Sequence, residues 1–339
     1  MRRHACLALA LPLVLAAGEK PAGRVTTSEH VVRLVVDAYV TDGHGDPIPD
    51  LQPSDFAVKA DGRALEVESA EFVAAGASEG PAPSAQEPEG DSASVPPAYP
   101  PGRLIVIFVE GDIGRLRTKG LMRVRQESFR LLDRLLPTDR VAVVRFVSHL
   151  TVLADFTNDR AVLDEALRLG LGSSRDRDVR VSPYPSLAAN LDFVEARRAA
   201  HVERALELVA LALAPIPGAK AVVFEGWGFF ANGAPVEGDL YERALAALMR
   251  ARANVFMLDT SDADWHSLET TLQIASEVTG GTYAKTNLFA GLAVERIARA
   301  LAGRYVLVCV APDANLRTLD VSLAHRRGTV VARAYTAAP

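Results

Sequence analysis

The sequence predicts an α/β protein: a doubly wound, mostly parallel sheet of the Rossmann-like kind, accompanied by a small β module built from both ends of the chain. Three features predict it. Between residues 103 and 302, apolar runs bounded by turn residues alternate with helical stripes, the pattern of a parallel sheet covered on both faces. Before that region the chain alternates strictly between apolar and polar residues, and after it short β runs return. In between, residues 74–102 lose all periodicity and are rich in Pro, Ser, Gly and Glu, the composition of a flexible linker.

Each element follows from its own residues. The start, Met1-Arg2-Arg3-His4, is basic, and Ala5 to Ala17 is apolar but shorter than the roughly 20 residues of a membrane span. With Ala16-Ala17-Gly18 behind it, residues 1–18 read as a cleaved signal peptide, so a secreted or periplasmic protein without a membrane span is expected. Cleavage removes Cys6 and leaves Cys309 as a buried core thiol. In residues 24–73, Val32, Leu34, Val36, Ala38 and Val40 define one face of a half-buried strand. A turn at Thr41 to Pro47 follows, then Leu51, Phe56 and Val58, a turn at Asp61-Gly62, and strand residues Leu65 to Val67 and Phe72-Val73.

The run Leu104-Ile105-Val106-Ile107-Phe108-Val109 reads as a strand buried on both faces and ending in Glu110 and Asp112. Leu121, Val124, Phe129 and Leu132 stripe a helix that Pro137 ends. Val141 to Val147 is the next strand and Thr151 to Phe156 an edge strand, with Asp155, Asn158 and Asp159 as turn and cap residues. A helix over Ala161 to Leu169, a loop over Gly172 to Pro185 and one long helix over Leu191 to Ala214 complete this half. Strands at Ala221 to Phe224 and Val255 to Leu258 then alternate with helices at Leu240 to Arg252, Leu268 to Val278 and Leu288 to Leu301, with a short strand at Thr282 to Ala284. Residues 303–336 hold the closing β runs, Tyr305 to Val310, Leu319 to Leu323 and Val331 to Tyr335, the last two joined by a His325 to Gly328 turn and expected to pair with the N-terminal module.

Composition narrows function. At 49% hydrophobic and 23% charged the chain is globular rather than disordered, and a net charge of -5 with scattered Arg makes a nucleic-acid partner a poor expectation. There is no Gly-x-Ser-x-Gly elbow, His-Glu-x-x-His, phosphate loop with Lys or Cys-x-x-Cys, so no enzyme is expected. Ligands of such sheets bind at the carboxyl ends of the strands, which gathers Glu110, Asp112, Glu225, Trp227, Asp259 and Asp262 on one edge. Trp227, Phe229 and Phe230 are candidates for a partner contact or for a structural cap on that edge. Asp259, Asp262, Asp264 and His266 have metal-ligand chemistry but are expected to be solvated, with Asp262 or Asp264 capping the following helix.

Val36-Asp37-Ala38-Tyr39-Val40-Thr41-Asp42-Gly43 through Leu51, Asp55-Phe56-Ala57-Val58 and Asp61-Gly62 resembles the N-terminal segment of the von Willebrand factor A-related proteins abundant in Acidobacteria. Ile216 to Phe224 followed by Gly228-Phe229, Ile274 to Gly281, and Arg304 to Leu307 resemble later segments of the same family, in the same order. The resemblance implies an A-type domain and a protein partner. In A domains at large, an Asp-x-Ser-x-Ser strand end, a Thr and an Asp-Gly strand end hold Mg²⁺, whose open position takes a partner carboxylate. Here Glu110 stands for the Asp, Asp112 and Gly114 for the two Ser, and Glu225-Gly226 for Asp-Gly, with only Ser173, Ser174 and Ser182 as hydroxyls in the loop where the Thr is expected. Three carboxylates would neutralise the ion, and the longer Glu arms would suit Ca²⁺ better than small octahedral Mg²⁺. The implied reading is an interaction module with a degenerate metal site at Glu110, Asp112 and Glu225. The alternatives are a metal-dependent hydrolase at that edge, or a structural protein whose edge is vestigial, its acids solvated and Asp112 capping a helix.

Overall fold

A computed structural model describes residues 32–77, 102–111, 118–170, 179–229, 238–312 and 316–334. Among these residues the strands form two six-stranded sheets. The expected signal peptide, Asp112, Gly114, Ser173, Ser174 and Phe230 lie outside the described residues.

The first sheet contains β4 (Leu104–Glu110), β5 (Arg140–Phe146), β6 (Leu150–Thr157), β7 (Lys220–Gly226), β8 (Ala253–Asp259) and β9 (Tyr283–Lys285). Its spatial order is β6-β5-β4-β7-β8-β9, with β6 antiparallel and every other pairing parallel. Renumbered within the sheet this is 3-2-1-4-5-6, the doubly wound Rossmann-like order. Helices cover both faces. Phe108, Val144, Phe224 and Met257 pack against α3 (Phe193–Arg198), α4 (Val202–Leu213), α5 (Gly238–Arg250) and α6 (Glu269–Thr279) through Ala196, Leu206, Leu248 and Leu272. Ile107, Val109, Val223 and Leu258 pack against α1 (Thr118–Leu132), α2 (Arg160–Leu169) and α7 (Ala290–Ala300) through Val124, Leu163 and Ile297. The continuous apolar runs are explained by this arrangement, since each strand must be apolar on both sides.

The single long helix expected over Leu191 to Ala214 is two helices. Asp192 caps α3 by accepting from the Val194 and Glu195 amides, Ala199 leaves the helix at ψ 97°, and extended His201 precedes α4. No Gly or Pro marks the break. It sends Ala196, Ala199 and Val202 together into the core, a case of packing overriding the helical propensity of an Ala-rich segment.

The second sheet is antiparallel and unites the two ends of the described chain: β1 (Val32–Thr41), β2 (Phe56–Ala60), β3 (Arg63–Ala74), β10 (Gly303–Ala311), β11 (Leu319–Leu323) and β12 (Thr329–Ala332) in the order β11-β2-β3-β10-β1-β12. The sequence pairs only the last two strands with the N-terminal module. In the structure β10 joins them and is central, bonded to β3 on one side and β1 on the other. The sheet curls until its outer strands meet, where the Leu319 amide donates to the Ala334 carbonyl at 2.7 Å. Val36, Ala38, Val58, Tyr305, Leu307 and Cys309 fill its interior. The outer face of β1 joins the larger sheet instead: Tyr39 meets Phe256 edge to face at 5.7 Å, and Asp37 takes a two-pronged ion pair from Arg252, just before β8, at 2.7 and 2.9 Å. The module therefore docks at the amino ends of the parallel strands, leaving the carboxyl ends clear. Among the described residues no helix is long and apolar enough to cross a membrane.

Candidate functional site

The carboxyl ends of β4, β7 and β8 do lie side by side, in the register Val109 opposite Glu225 and Gly226 opposite Asp259. Alternation along a strand then decides where each acid points. Glu225 shares the face of Val109 and Leu258, under α1, whereas Glu110 and Asp259 share the face of Phe224 and Met257.

Glu110 is buried, and its Oε2 accepts from the Trp227 amide at 2.9 Å and the Gly228 amide at 3.4 Å. This explains Gly226: a Cβ there would sit 2.4 Å from that oxygen and 2.4 Å from the Phe224 ring. Glu225 is fully buried on the opposite face, where the Ser128 hydroxyl of α1 donates to Oε1 and Oε2 has no hydrogen-bond partner. Burial pushes its carboxyl up to about 7, against the opposing effects of the Ser128 hydrogen bond and the Arg125 charge. Two carboxylates aimed at opposite faces do not converge on one ion, so these residues do not fit the cation expected at Glu110 and Glu225. Among the described residues no group of three His, Cys, Asp or Glu side chains is placed to hold a metal.

Of the acids at the end of β8 and after it, Asp262 and Asp264 are exposed but cap no helix, and Asp259 is not solvated as expected. Asp259 is fully buried and accepts from the Tyr283 hydroxyl at 2.8 Å and the Ser261 amide at 2.8 Å, with His266 Nε2 at 2.9 Å. Burial, reinforced by the adjoining Asp259 carboxylate, pushes the Tyr283 hydroxyl up. Leu268, not an Asp, occupies the N-cap of α6. Asp262 instead pairs with Arg123 of α1 at 3.0 Å. Asp155 is also more than a turn residue: buried, it accepts from the Ser182, Leu187 and Ala188 amides and the Ser186 hydroxyl, organising the segment that precedes α3. Asp159 caps α2 as expected of a cap residue.

Of the aromatic trio, Trp227 is half-buried. Phe229 is fully buried, wedged between Phe224 at 5.2 Å and Tyr241 at 5.4 Å, so it cannot meet a partner.

The most exposed large apolar side chains lie on neighbouring segments of this edge. Trp265, Leu288 and Phe289 are 73%, 74% and 67% exposed on the segments that follow β8 and β9, and Leu292 in the first turn of α7 is also exposed. Two cations staple these segments together. Arg123 reaches both the Asp262 carboxylate at 3.0 Å and the Thr286 carbonyl at 2.9 Å. Lys285 donates to the Asp264 carbonyl and pairs with Glu269 at 2.7 Å. The sequence carried one sign of this: Leu288 and Leu292, spaced i, i+4, stand outside the Ala290, Ala293, Val294 and Ile297 stripe that faces the core.

No protein-family model matches the sequence, and neither does any curated protein. Solved structures similar to the chain include a von Willebrand factor type A protein from Catenulispora acidiphila, at 12% identity and a TM-score of 0.43 over 85% of this chain and 75% of that one. BatB from Bacteroides thetaiotaomicron is similar at 15% identity and a TM-score of 0.37, over 58% of this chain and 97% of that one. Manganese-loaded TRAP protein from Plasmodium vivax is similar at 13% identity and a TM-score of 0.34, over 76% and 81% of the two chains. Likeness at this level concerns overall shape, and the fold stands on the strand order itself.

Proposed function

We propose that this chain is a protein-binding module of the A-domain type that holds its partner through the segments following β8 and β9. The observation that carries this reading is the exposure of Trp265, Leu288, Phe289 and Leu292 on segments braced by Arg123 and Lys285. Single exposed apolar residues are ordinary, but large aromatic and aliphatic side chains gathered on a braced rim are what interfaces use as anchors. Bracing lowers the ordering cost of binding. Below the rim, His266 and Tyr283 both meet the Asp259 carboxylate, which ties the segment after β8 to β9. In this reading contact does not run through a metal, because Glu110 and Glu225 diverge. The export expected from residues 1–18 would put the encounter in the periplasm or outside the cell.

A photocrosslinking amino acid placed at Leu288 in cells of the native host tests the reading. It should yield one discrete adduct, lost on Trp265→Ser with Phe289→Ser, and the same probe at Leu211, exposed on α4, should not. Equal labelling from both positions, or none from Leu288, would refute it.

A further inference from the structure

Beside the braced rim, the outer side of α1 carries a shallow groove of about 690 Å³. Met122, half exposed, and Phe129 supply its apolar surface, and Lys119, Arg123 and Arg125 supply three positive charges. None of the described residues lining it is acidic. That is unexpected on a chain whose net charge is -5, where surface cations would be matched by the more numerous acids. Several other surface cations, Arg130, Arg160, Arg204, Arg243 and Arg299, do pair with carboxylates. In the groove only Arg123 has an ion-pair partner among the described residues, Asp262, while Lys119 and Arg125 have none. A further cation borders it, for the Arg168 guanidinium lies 5.8 Å over the Phe129 ring.

We infer that the partner presents an acidic, amphipathic segment to this face, its carboxylates meeting Lys119, Arg123 and Arg125 and its apolar side chains resting on Met122 and Phe129. The inference rests on the protein-binding reading and deepens it, because Arg123 belongs to both surfaces: it lines the groove and staples the rim that carries Trp265 and Leu288. A segment seated on the groove thus continues onto the exposed rim past the Arg123–Asp262 pair. Charge complementarity of this form sets partner choice and speeds encounter, and methionine provides a surface that adapts to the apolar residues offered. Nucleic acid fits less well, since Met122 and Phe129 offer apolar contact at the centre of the cationic strip where a phosphate backbone would need donors.

Fluorescence polarisation with the full chain tests this, using a labelled peptide of about 15 residues with Glu throughout and Leu or Phe at every third or fourth position. Binding should weaken by on the order of 10-fold with Lys119→Glu plus Arg125→Glu, by a smaller factor with Met122→Ser, and steeply as salt rises. The peptide with every Glu replaced by Gln should not bind. Lys119 is exposed and Arg125 half-buried, and an unchanged melting temperature verifies folding. Absent binding, binding indifferent to the charge reversal, or equal affinity for a DNA duplex of matching charge would overturn the inference. The protein-binding reading fails separately: if Leu288 still crosslinks while the peptide result is negative, the rim stands and the groove does not, whereas no adduct from Leu288 removes the rim.

Discussion

Glu225 is an acid placed where water cannot reach it, and its neighbours do not fully compensate. Its folded-state carboxyl titrates at about 7 rather than 4.5. The native state therefore holds a proton between those values that the unfolded chain releases, so folding stability falls as pH rises from about 4.5 to about 7 and is flat above. The shift corresponds to something on the order of 3 kcal/mol at neutral pH. Glu225→Gln, which keeps the shape and removes the charge, should raise stability at pH 8 and flatten this part of the profile in denaturant titrations at pH 5 and 8. An unchanged profile would show that the carboxyl is solvated. Reading the sequence placed this residue correctly at a strand tip but aimed it wrongly, since nothing in Phe224-Glu225-Gly226 reveals that Val109 rather than Glu110 stands opposite.

At the scale of elements, two of the helices covering the Phe108 face of the large sheet, α4 and α5, are followed by segments that one buried cation holds. Lys220, the first residue of β7, donates to the carbonyls of Ile216, Gly218 and Ala251, so it serves the segments after α4 and α5 together. Helix ends leave carbonyls unsatisfied, and a buried one is costly. Lys220→Met keeps the aliphatic bulk and removes the donors, and should lower stability by roughly 2–4 kcal/mol with an unchanged denaturant slope. A variant as stable as the parent would mean that water takes over the carbonyls. The apolar runs of β4, β5, β7 and β8 were legible because burial on both faces leaves a local signature, and the cap Asp159 sits where a short polar residue belongs. The break between α3 and α4 was not legible, because it answers to the core surrounding Ala199 rather than to any helix-stopping residue.

Across the whole molecule, the antiparallel module and the parallel sheet are joined by charge as well as by packing. Asp37 of β1 lies between Arg252 and Arg304, and Arg252 adopts the left-handed backbone conformation, φ 51°, while making this contact. Burial pushes the Asp37 carboxyl up, but the two guanidiniums outweigh it and hold it at about 2. The stability this contributes is present above the ordinary value of 3.8 and is lost as pH falls through about 2. Asp37→Ala leaves two arginines facing each other across the joint and should cost about 3–5 kcal/mol, while abolishing the corresponding acid-induced loss of stability. Calorimetry of the full chain checks both, and a melting temperature within error of the parent would show that the joint rests on its other contacts, such as Tyr39 with Phe256 and Asn254.

The sequence by itself determined most of the strands and helices, that one sheet is covered on both faces, and that the two ends of the chain carry a second β unit, because these depend on periodicities written along the chain. Tertiary structure alone decided where β10 sits, which way Glu110 and Glu225 aim, why Phe229 is hidden, and why Trp265, Leu288 and Phe289 are not. The physical reason is register: one residue's shift between neighbouring strands transfers a side chain to the other face of the sheet, and only the packed molecule chooses the shift.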